Sequence, residues 1–127
     1  MDAIDNHWVR VSFASGQYDH AIKVEWKSPP TTDNFINEMD RVRNLFREHA
    51  SFTVLALDYT AQFTLAREAK AWVKAQFIPA LSGQVQQVML GCPQDCIDEF
   101  KDGFEAAGML VKVVHQKKAL EAALASL

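Results

Sequence analysis

The sequence predicts an α/β domain: a mixed, mostly parallel sheet that opens with an antiparallel hairpin and carries helices packed against it, in the order ββαβαβαβα. Three observations lead there. Two alternating apolar runs, at 8–13 and 20–26, are joined by a short loop containing Gly16. The run at 52–58 is apolar on both faces through Val54, Leu55, Ala56 and Leu57. From there on, short apolar runs alternate with segments of helical period. That alternation is the pattern of parallel strands joined by right-handed crossovers.

Each element follows from its residues. In "WVRVSF" (8–13), Val9, Val11 and Phe13 share one face, while Trp8, Arg10 and Ser12 share the other. This is the period of a half-buried strand. "HAIKVEW" (20–26) alternates likewise through Ile22, Val24 and Trp26, and the turn-forming "ASGQYD" between the two runs makes them a hairpin. Pro29 and Pro30 stop the second strand. Thr31, Thr32 and Asp33 then offer side-chain oxygens to the first amides of a helix. That helix carries Phe35, Met39, Val42 and Phe46 on one face and runs to about His49.

A strand apolar on both faces belongs inside a sheet covered by helices on two sides, and 52–58 is placed there. Thr64 is the expected N-cap of the next helix, which buries Leu65, Ala69, Trp72, Val73 and Ala80. Pro79 is expected to kink that helix or end it in a tighter turn. A strand at 85–91 precedes a helix with Ile97, Phe100, Phe104 and Ala107 facing inward and Gly108 just past its end. Gly103, inside this helix, costs about 1 kcal/mol relative to alanine and is expected to allow a close helix–sheet contact. A last strand (109–115) and an Ala/Leu-rich helix, with Leu120, Ala123, Leu124 and Leu127 on one side, complete the chain.

The 127 residues suit one domain, 1–127, with a core that needs neither disulfide nor metal. The net charge of -3 offers no field to attract nucleic acid or an anionic membrane. No apolar stretch approaches the roughly 20 residues of a membrane span. The acidic "MDAIDNHWVR" lacks the basic and apolar regions of a signal peptide. With only two cysteines, a cytoplasmic location is expected.

The features "IKVEW", "PPTTDNF", "VLALDYT" and "AWVKAQFIPAL" occur in an order that resembles STAS domains, the anti-sigma-factor-antagonist-like fold, and most closely the bacterial STAS-like proteins of about this length. The resemblance spans roughly 8–126 and rests on structural punctuation. It implies the fold and a role in protein–protein regulation. Signalling members carry a phosphorylatable Ser in a turn after the central strand. Here that segment reads "DYTAQFTLARE", with neither Ser nor Gly, which puts the phosphoswitch in doubt.

Candidate chemistry is sparse. In "GCPQDCIDEF", Cys92 and Cys96 have one residue too many between them for a thioredoxin-type pair and lack further zinc ligands at suitable spacing. They read as ordinary thiols where a strand enters a helix. His7, His20, His49 and His115 are scattered, and no nucleophile elbow, phosphate loop or metalloprotease motif occurs. No metal, cofactor or catalytic residue is therefore assigned.

The partner or ligand surface is expected at the carboxyl end of the central strand, where open α/β sheets gather ligands. It comprises Asp58, Tyr59, Thr60, Phe63 and Thr64. Trp8, on a strand face with Arg10 and Ser12, is the candidate contact for a homodimer through the hairpin. The first functional reading is a non-enzymatic STAS-like domain working through a protein partner. The second is a binding domain for a small apolar or lipid-like ligand, with Phe63, Trp72, Phe77 and Met89 as its lining.

Overall fold

The computed structural model of the chain describes residues 2–13, 20–58, 65–91 and 94–113; for residues 2 and 94–99 it describes the backbone alone. Six strands form one sheet in sequence order. They are β1 (Asp2–Asp5), β2 (Val9–Phe13), β3 (Ala21–Trp26), β4 (Val54–Asp58), β5 (Gln87–Gly91) and β6 (Leu110–Val113). β1, β2 and β3 are antiparallel neighbours, and β3 to β6 are parallel. The helical elements are α1 (Thr32–Glu48), α2 (Arg67–Trp72), α3 (Ile78–Leu81) and α4 (Gln94–Ala106), with a π turn (Val73–Phe77) joining α2 to α3.

The α/β class and the mixed sheet agree with expectation. The order needs one correction at its start, where three antiparallel strands stand instead of two. β1 has one buried apolar residue, Ile4, so its alternation is too short to read. The final predicted helix lies outside the described residues.

α1 begins as its sequence requires. Thr31 Oγ1 accepts from the Asn34 amide at 3.1 Å, satisfying one donor of the first turn. Phe35, Met39, Val42 and Phe46 are buried at spacings of one helical turn. Thr31→Ala should cost about 1 kcal/mol, measured as a lower urea midpoint with an unchanged slope.

The second helical segment departs from expectation in an instructive way. Backbone dihedrals stay helical through Trp72, Val73, Phe77 and Ile78, so α2, the π turn and α3 run on as one piece. Pro79 has no N–H to continue the regular ladder. The turn before it widens rather than tightens, and the helix continues to Leu81. Ala66, not Thr64, is the N-cap and makes no side-chain cap bond. Ala80 is exposed and Trp72 only half-buried. Gly103 does permit a close approach, but to a helix: a Cβ there would lie 3.0 Å from Ile78 Cδ1.

The two faces of the sheet differ. Residues such as Val24, Trp26, Leu55, Leu57, Val88 and Leu90 share one face and join the main core together with Phe35, Phe77 and Phe104 from the helical layer. The sheet runs β3-β4-β5-β6 in order, so each right-handed crossover steps the same way and its helix falls on the same side. This places α1 to α4 on one side; the final helix, on which the expectation of helices on both sides also rests, lies outside the described residues. β4 is nonetheless buried along its whole length. Ala21, Val54, Ala56 and Met89, on the second face, are buried outside the main core cluster.

Candidate functional site

The second face becomes polar toward the carboxyl ends of the parallel strands. Strand register lines up Asp5, Arg10, Glu25, Asp58 and Gly91 in one row across β1 to β5. Register partners point to the same side of a sheet. Among the described residues, Glu25 (8% exposed) and Asp58 (4%) are the buried charged side chains. They are direct partners on adjacent parallel strands, whose backbones run about 4.8 Å apart. Gly91, on the other side of Asp58, presents no side chain to the row.

Charges alternate along the row before the two acids meet. Lys27 Nζ donates to Asp5 Oδ1 at 2.6 Å. Arg10 Nε lies 3.8 Å from Asp5 Oδ2, and Arg10 Nη1 lies 3.8 Å from Glu25 Oε1. The hydrogen bond from Lys27 holds the Asp5 carboxyl below its ordinary value, aided by the charges of Lys27 and Arg10. The stability from Asp5 is therefore present above about pH 4 and is lost as pH falls through the lowered value. Moving a carboxylate out of water is costly, and two side by side repel. Two neighbouring buried acids, each with polar interactions of its own, stand at the carboxyl ends of β3 and β4.

Of the expected surface, Asp58 sits in this row. Tyr59, Thr60, Phe63 and Thr64 lie outside the described residues. Glu25, Arg10 and Asp5 were not expected. Glu25 reads as the solvent side of an alternating strand, and only the parallel register of β3 with β4 brings it beside Asp58. The one available signal was position, since both acids stand within a residue of their strand's end.

The proposed apolar lining does not converge. Phe77 belongs to the main core beneath the helices, and Trp72 packs near it at 6.1 Å between ring centroids, with Arg43 5.8 Å above the Trp72 ring. Met89 is on the opposite face of the sheet. Phe63 lies outside the described residues.

Trp8 is half-buried, not a free strand residue. It lies in the β1–β2 turn, edge-on to His7 at 4.8 Å, and packs against the core. Cys92 and the side chain of Cys96 lie outside the described residues. No group of three or more His, Cys, Asp or Glu that could hold a metal occurs among the described residues. None of the described helices is long and apolar enough to cross a membrane. The chain matches no protein-family model, no curated protein and no solved structure.

Proposed function

We propose that this chain is a non-enzymatic, cytoplasmic, STAS-like domain that regulates through protein–protein contact, with the carboxyl edge of β3, β4 and β5 as its working face. One observation carries the reading: Glu25 and Asp58 are buried side by side where open α/β sheets receive ligands. Pure packing would favour apolar residues at those positions. The order of sequence features shared with STAS-like proteins supports the regulatory role, and the lack of any catalytic motif supports binding over chemistry.

The test is differential capture from host extract on immobilised wild-type protein, Asp58→Ala and the exposed control Glu105→Ala, each shown to be folded by circular dichroism. Proteins held by the wild type and by Glu105→Ala should fall about tenfold or more on Asp58→Ala, a loss of roughly 1.4 kcal/mol or more. Equal capture by Asp58→Ala would remove the carboxyl edge as the working face.

A further inference from the structure

We infer that β1 is a strap that opens as its own unit, without the rest of the sheet, and that Asp5 is its latch. Among the described residues, β1 is an edge strand paired only with β2. Its register slips between Asp2 and Ile4, which weakens the ladder. Ile4 is buried, while Ala3 and Asp5 are exposed. The segment thus opens at the expense of one apolar side chain, a short ladder and the Asp5 ion pairs.

The hinge is equally defined. Asn6 Oδ1 accepts from the amides of Trp8 at 2.8 Å and Val9 at 3.0 Å, which holds the turn to β2. At Trp8 the chain is fixed: the Trp8 carbonyl accepts from the Lys27 amide at 2.8 Å, and the Trp8 ring packs on the core. The His7 carbonyl accepts from Ser28 Oγ at 2.8 Å. The strap therefore ends at Asn6.

Opening has two consequences. It uncovers the outer edge of β2, and it removes Asp5 from Arg10, the residue that also faces Glu25. The strap thereby sets the charge at the head of the Glu25–Asp58 row. The latch groups Asp5, Lys27 and Arg10 keep a third or more of their side-chain surface in solvent, so salt screens them.

Hydrogen–deuterium exchange on the full chain tests this, at low salt and at about 1 M, where the Debye length is about 3 Å. The protected amides of β1 should exchange roughly tenfold or more faster than those joining β2, β3 and β4, and faster again in high salt. Asp5→Asn should reproduce the high-salt rate at low salt and lose the salt response. If β1 exchanges at the same rate as β3 and β4, or is indifferent to salt in the wild type, the strap does not exist.

Discussion

Trp26→Ala is expected to remove about 3–5 kcal/mol of stability. Trp26 closes β3 and is fully buried. Its ring stacks on Phe35 in the first turns of α1, with centroids 5.1 Å apart and planes 22° off parallel. Val9 is its register partner on β2. The ring therefore joins the hairpin, the helix and the first parallel strand, and its loss leaves a cavity that these elements cannot all close. Domains of this size carry about 5–15 kcal/mol in total, so the variant should be partly unfolded at low denaturant. Urea unfolding followed by far-ultraviolet circular dichroism measures the loss. Trp26→Phe should recover more than half of it, because the stacked contact persists. A deficit under about 1 kcal/mol for the alanine variant would mean that Trp26 is not in the core.

The second large effect is at Gln84, in the turn after α3. Its Nε2 group donates to three carbonyls: Phe46 at 2.7 Å, His49 at 3.0 Å and Phe52 at 3.1 Å. Two protons serve three acceptors, so one is shared. These carbonyls belong to the end of α1 and the approach to β4, where helix termination leaves acceptors without intrahelical donors. Gln84→Glu keeps the shape but turns a carboxylate toward three carbonyl oxygens. The expected loss is about 3 kcal/mol at neutral pH. The protonated acid can donate one bond, so folding favours it and raises its folded-state pKa. Stability of the variant should thus improve as pH falls toward about 4 and be lost as pH rises through the raised value. Thermal melts of both proteins from pH 4 to 8 check the sign. A parallel shift of the two across that range would contradict the assigned contacts.

Local periodicity made most of the fold legible. Phe35, Met39, Val42 and Phe46 mark α1 at helical spacing, Thr31 caps it, and Gly108 follows α4 with a positive φ of 91°. "VLALD" reads as buried on both faces and is so. What stayed hidden depends on partners distant in sequence or on compensation for a single residue. β1 needs β2 to be a strand, since Ile4 is the one buried side chain among its described ones. Pro79 could be relieved by a tighter or a wider turn, and packing of Val73 and Phe77 inward selects the wider one. The common side of α1 to α4 follows from strand order, which periodicity does not contain. The same holds at the candidate site: Asp58 stood out as a polar end to an apolar run, whereas Glu25 resembled any solvent-facing residue until register set it against Asp58.

The functional reading rests on Glu25 and Asp58 sharing the sheet face opposite α1 and α4. Nuclear Overhauser contacts in isotopically labelled protein test that without altering a residue. Cross-peaks should join the Glu25 and Asp58 side chains and place Asp58 beside Gly91, with none from either acid to Phe35 or Phe104. Cross-peaks from Asp58 to those rings, or none between the two acids, would put them on different faces and contradict the proposed site.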